Sequence, residues 1–176
     1  MSRRFFLAAL AAALLLAACR SRHTKVKVEA TEEEAPSLAS TVHVADPRAA
    51  AQLISGFYGI EDQSWRWTAG KFSVLLRPPR SASQKGASLQ FKFAVPDPVI
   101  SHLKSIALTA TVNGTALPTE KYTAAGEYTY TKDVPPELLA GEAVKVEFAL
   151  DKSLPPGSVD QRELGVVAQS VGFEPK

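Results

Sequence analysis

The chain has 176 residues but only one cysteine, one methionine and three histidines. With Cys19 as the sole thiol, no intrachain disulfide can form, and a zinc site built from several thiolates is excluded. His23, His43 and His102 lie far apart, without the Cys/His spacing a zinc site requires. An excess of either charge is missing too. Twenty Lys and Arg face 18 Asp and Glu, a net charge of +2, and no concentrated basic stripe of the kind nucleic acid requires is present. There is no glycine-rich phosphate loop. The longest apolar run, Phe5 to Leu16, falls short of the roughly 20 residues that span a bilayer.

Candidate catalytic groups are equally thin. Asp97, Ser101 and His102 are neighbours along a proline-rich stretch read as a loop, but a nucleophilic triad needs each group aimed at the next. Glu137 with Glu142, or Asp160 with Glu163, are carboxylate pairs that nothing in the sequence sets across a cleft. The expectation is a protein that is not an enzyme, with no metal and no cofactor.

The amino terminus is far more specific. Arg3 and Arg4 precede the apolar run, and Leu16-Ala17-Ala18-Cys19 closes it, the layout of a secretory signal ending in small residues. This ending resembles the lipobox of bacterial lipoproteins. The resemblance implies a signal peptide over residues 1–18 and a diacylglyceryl group on the Cys19 thiol, with cleavage leaving Cys19 as the first, acylated residue. Two or three acyl chains on one residue make a durable membrane anchor, whereas one holds only marginally. Arg20, rather than an Asp, follows Cys19. In lipoproteins similar to those of enteric bacteria, that implies transfer to the outer membrane, with the domain facing the periplasm.

Residues 19–45 then read as a lipidated cysteine and a flexible charged tether. Arg20, Arg22, Lys25 and Lys27 are followed by Glu29, Glu32, Glu33 and Glu34, with too few large apolar groups to order the segment. Lys25 to Glu29 alternates as an isolated strand would.

A single domain is expected over 46–176. Asp46 suits a helix N-cap and Pro47 a first helical position, so a short helix is expected over 47–54. Beyond it the period becomes two. Phe72, Val74 and Leu76 form one apolar face, as do Leu89, Phe91, Phe93 and Val95. Ile106 to Val112, Tyr128 to Tyr130, Val144 to Leu150 and a last strand over 166–173 extend the series. Asn113-Gly114 is a hairpin signal, Pro135-Pro136 and Gly141 bracket a single helical turn over 137–140, and Pro155-Pro156-Gly157 marks a loop. Short strands, polar turns and no βαβ rhythm predict an all-β antiparallel β-sandwich, a jelly roll with one or two short helices.

Two segments stand apart from this pattern. Gly56-Phe57-Tyr58-Gly59-Ile60-Glu61 leads to Trp65-Arg66-Trp67-Thr68, which holds both tryptophans. Far downstream, Asp160-Gln161-Arg162-Glu163-Leu164-Gly165 runs into the final strand. Together these resemble the small galactose-binding-like β-sandwich modules found beside bacterial glycosyltransferases, over roughly 53–173. The resemblance implies a binding role; the catalytic domain of those proteins has no counterpart in this chain.

Two readings of these residues remain open at this point. In one, Trp65 or Trp67 offers a flat face to a sugar ring, while Tyr58, Glu61, Arg66 and Arg162 hydrogen-bond its hydroxyls. In the other, the tryptophans fill the core and Glu61 pairs with Arg66 or Arg162 to tie the first strands to the last. The functional expectation is a lipid-anchored, non-catalytic envelope lipoprotein whose sandwich recognises a glycan. The alternative is a scaffold or assembly lipoprotein that binds another envelope protein.

Overall fold

The computed structural model describes residues 37–157 and 160–176. The signal segment, Cys19 and the alternating Lys25–Glu29 stretch lie outside the described residues. Ten strands occur among those described: β1 (Thr41–His43), β2 (Leu53–Glu61), β3 (Trp65–Leu76), β4 (Ala87–Val95), β5 (Ile106–Val112), β6 (Thr115–Ala116), β7 (Glu120–Tyr122), β8 (Gly126–Val134), β9 (Val144–Leu150) and β10 (Val167–Pro175). All pair antiparallel, in the order β6-β5-β9-β3-β10-β4-β8, with β7 beside β5, β2 beside β3 and β1 beside β10. The fold class is the expected one, an antiparallel all-β sandwich with two short helices.

The sheet curls into two facing layers, and β3 belongs to both. Its start pairs with β10 (Trp67↔Val167, Arg66↔Ala168), and its end pairs with β9 (Phe72↔Phe148 to Leu76↔Val144). Phe72 and Phe148 stack at 5.0 Å on neighbouring strands. Phe91, from β4 in the opposite layer, meets both at 5.4 Å and 4.9 Å. The apolar sides of the alternating strands thus close a dry core, to which β4 alone supplies Leu89, Phe91, Phe93 and Val95. The curl is fastened where β8 approaches the β5 side. Tyr130 Oη donates to the Pro118 carbonyl at 2.9 Å, and Lys132 pairs with Glu120 at 2.8 Å.

Local chemistry explains the connections. Asn113 (φ 45°) and Gly114 (φ 87°) make the tight β5–β6 turn, a conformation that favours Asn-Gly. Asp62 (φ 48°) and Gln63 (φ 54°) do the same between β2 and β3. The helix expected after Asp46 is a 3₁₀ turn, Pro47–Ala51, whose N-cap is Asp46 accepting from the Arg48 amide at 2.9 Å. The helical turn expected over 137–140 is likewise 3₁₀, over Pro136–Leu139.

Three expectations change. The domain does not begin at Asp46, because Thr41–His43 pairs with β10 and buries Val42 and Val44 in the core. Upstream, Ala39 exchanges hydrogen bonds with the buried Gln52 side chain at 2.9 Å and 3.1 Å, so the end of the expected tether belongs to the sandwich. The Asp97–His102 stretch is a helix, Asp97–Leu103, with Pro98 in its first turn, where a missing N–H is harmless. A one-turn helix, Ala82–Lys85, also fills the stretch between β3 and β4 that reads as a polar turn.

Candidate functional site

The strand-to-strand reach of the two unusual segments explains half of their residues. Leu154 and Leu164 form an isolated bridge, and the Gly165 amide donates to the Thr68 carbonyl at 2.7 Å. Gly165 is required here, because a Cβ would lie 2.6 Å from the Ala69 carbonyl oxygen. This close approach delivers Arg162 to β2. Its guanidinium reaches Glu61 at 2.7 Å and Asp160 at 2.8 Å, and lies over the Tyr58 ring at 5.1 Å. Tyr58 Oη donates to the Glu163 carbonyl at 2.8 Å. The Glu163 carboxylate accepts from the Gly70 amide at 3.2 Å and from Ser153 Oγ.

These groups satisfy one another. The hydrogen bonds from Arg162 hold the Asp160 carboxyl below its ordinary value, and Asp160 and Glu61 in turn raise Arg162. Of the pairings considered for Glu61, the one formed is with Arg162. Arg66 instead donates to two backbone carbonyls, Val44 at 2.6 Å and Tyr58 at 2.7 Å, locking the segment after β1 to β2. Tyr58, Glu61 and Arg162 therefore come together as a clamp, and Arg66 as a second one beside it.

The tryptophans divide. Their rings meet edge to face, centroids 6.4 Å apart. Trp67 packs against the core cluster. Trp65 is half-buried and lines an open groove of about 390 Å³ with His43, Gln63, Lys92, Gln169 and Ser170. A second depression of about 230 Å³ shares His43, Lys92 and Ser170 and continues past Thr41, Gln90 and Gly172 to Glu174.

Register explains this trough. His43, Ser170 and Lys92 are directly paired across β1, β10 and β4, and Thr41, Gly172 and Gln90 form the adjacent row. Alternation puts the intervening residues, Val42, Val171 and Phe91, in the core. An apolar ring thus borders a strip of amide, hydroxyl, imidazole and ammonium groups, the mixture that a polyhydroxylated ligand with apolar C–H faces requires. Of the sequence-derived candidates, only Trp65 lines this groove. His43, Lys92, Gln169 and Ser170 were not anticipated; their signal is the polar half of the strand alternation, which looks the same on any solvated face.

The remaining catalytic candidates do not converge. Asp97, Ser101 and His102 share one short helix, and the His102 Nδ1 partner is the Pro98 carbonyl at 2.8 Å. Among the described residues no helix is long and apolar enough to cross a membrane.

No protein-family model matches the chain, and no curated protein does. Solved structures with a similar course of strands include an acetyl xylan esterase from the rumen bacterium Butyrivibrio proteoclasticus, with 9% identity and a TM-score of 0.46. That match covers 80% of this chain, which spans only 34% of the esterase. The CBM36-1 domain of a multidomain xylanase from the hindgut metagenome of Trinervitermes trinervoides matches at 10% identity and a TM-score of 0.44, over 77% of this chain and 96% of that one. A family 35 carbohydrate binding module from an environmental isolate matches at 14% identity and a TM-score of 0.34, over 82% of this chain and 94% of that one.

Proposed function

We propose that the protein is a lipid-anchored lipoprotein of the bacterial envelope whose sandwich holds a glycan against Trp65 and performs no chemistry on it. The observation that carries this reading is the Trp65 groove: a half-exposed indole beside amide, hydroxyl, ammonium and imidazole groups, on a strip of sheet whose other face is core. The Tyr58–Glu61–Arg162 cluster gives the groove a rigid frame, since its donors and acceptors are already engaged with one another. Isothermal titration of the full chain in detergent against envelope oligosaccharides tests the reading. Trp65→Ala abolishes binding while leaving the near-ultraviolet signature of Trp67 and the thermal transition in place. Retained binding in a folded Trp65→Ala protein sinks the platform.

The anchor half of the proposal rests on Cys19 and the residues before it. Cys19→Ser leaves an unlipidated precursor, read as a shift in mass and loss of the detergent-phase fraction. If that variant is still processed and membrane-bound, the anchor assignment is wrong. A protein partner instead of a glycan has one observation in its favour, Ile54 (51% exposed) and Ile60 (37% exposed) on β2. Loss of a co-purifying envelope protein from an Ile54→Ser, Ile60→Ser double variant, with no glycan bound by the native chain, is its signature.

A further inference from the structure

Resting on the glycan reading above, we infer that the groove takes an internal stretch of a linear acidic polysaccharide, with a uronate carboxylate set against Lys92 beside the ring on Trp65. Two observations carry this: the length of the trough and the placement of charge along it.

Together the two depressions form a trough that follows one strand, β10. From Gln169 to Glu174 along β10, at about 3.3 Å per residue, it runs about 16 Å, well beyond a single pyranose ring. At Gly172 strand β1 packs directly over β10, and a Cβ there would lie 2.7 Å from the Thr41 Cα. Strand β1 closes against β10 at this point, and the two depressions share His43, Lys92 and Ser170 between Trp65 and Glu174. That length takes more than one sugar ring, so a stretch of chain rather than a single sugar is the occupant.

Charge is distributed unevenly along that path. Lys92 lies at the centre, shared by both depressions, exposed and without an ion pair among the described residues. His43 stands across Ser170 from it. The nearby carboxylates stand toward the two ends or are paired. Glu174 is at the far end, Glu127 accepts from the Gln169 amide at 3.3 Å, and Asp133 pairs with Lys176 at 2.9 Å. Lys92, the one ammonium lining the trough among the described residues, thus shares a depression with the aromatic platform, between Glu127 near one end and Glu174 at the other. One ammonium flanked by neutral amides and hydroxyls matches a singly charged carboxylate. Phosphate and sulfate esters are better matched by arginine forks, and the arginine nearest to Trp65 in sequence, Arg66, is committed to backbone carbonyls.

The test is calorimetry on the full chain in detergent with three probes: a linear uronic-acid hexasaccharide, the same hexasaccharide after carboxyl reduction, and the uronic-acid monosaccharide. The acidic hexasaccharide binds about fivefold more tightly than its reduced form, the scale of one exposed ion pair. That preference shrinks as salt is raised. Lys92→Gln removes the preference, Trp65→Ala loses both hexasaccharides, and the monosaccharide binds far more weakly than either. Equal affinity for the acidic and reduced probes, or a preference that survives Lys92→Gln, overturns the acidic assignment and leaves the glycan reading intact. A phosphorylated oligosaccharide that displaces the uronate overturns it in the same way. Monosaccharide affinity equal to that of the hexasaccharide overturns the extended-chain part. Failure of both hexasaccharides to bind the native protein overturns the inference and weighs against the glycan reading beneath it.

Discussion

Trp65 and Trp67 are two residues apart on one strand, yet one sits in the core margin and the other borders a groove. Their substitutions therefore separate. Trp67→Ala removes a large ring packed on the core and costs about 2–3 kcal/mol in urea unfolding, at the low end for a large-to-small change because the ring is only partly buried. Trp65→Ala costs far less stability and acts on binding instead. Arg162 offers a second single-residue test. Its hydrogen bonds depress the Asp160 carboxyl below 3.8, so the stability Asp160 contributes is fully present above that value and is lost as pH falls through its lowered native value. Arg162→Ala removes this contribution, and the acid limb of a stability-versus-pH curve below about pH 4 becomes shallower than in the native protein. An unchanged acid limb would mean that the pair contributes nothing. The motif ending in Gly165 flagged Arg162 as noteworthy in sequence, but whether Glu61 paired with it or with Arg66, or both faced a sugar, depended on where the chain turned back.

Among the elements, β3 organises the molecule, because its two ends pair with strands of different layers. Alternation from Phe72 to Leu76 was legible, since core-facing and solvent-facing residues differ in polarity there. The union of that run with Trp65–Thr68 into one strand was not, because the intervening Ala69, Gly70 and Lys71 carry no periodic signal. Strand β1 was missed for a related reason. Three residues are too short to show a period, and Val42 is buried only because β10 lies beside it. Gly172 is the point at which that pairing is exposed to test. Gly172→Ala drives a Cβ into Thr41 and detaches β1, so hydrogen exchange at the Val44 amide, which donates to the Gln169 carbonyl at 3.0 Å, loses protection while β4 and β8 keep theirs.

At the scale of the whole molecule, the amino-terminal limit of the domain is set by packing. A chain truncated to begin at Ser37 is expected to keep native stability. One that begins at Asp46 discards Val42 and Val44, both buried, and loses about 3–5 kcal/mol by area alone, measured as a fall in the denaturation midpoint. Equal midpoints would show that β1 is dispensable. The structure carries the domain upstream of residue 46, and Thr41–Ala45 is too short to show a strand period on its own. Its valines count only once a sheet edge is supplied.

The sequence by itself determined the disulfide-free all-β class, the Asn113-Gly114 turn and the apolar faces of β4, β5 and β9. Each follows from local spacing, and a period of two reads the same wherever the chain goes. Tertiary structure alone decided which tryptophan meets solvent, which carboxylates Arg162 holds, and that His43, Ser170 and Lys92 stand in one row. Those are contacts between residues tens of positions apart, set by the register of β10 against β1, β3 and β4, and register across a curled sheet is fixed by the packed core as a whole.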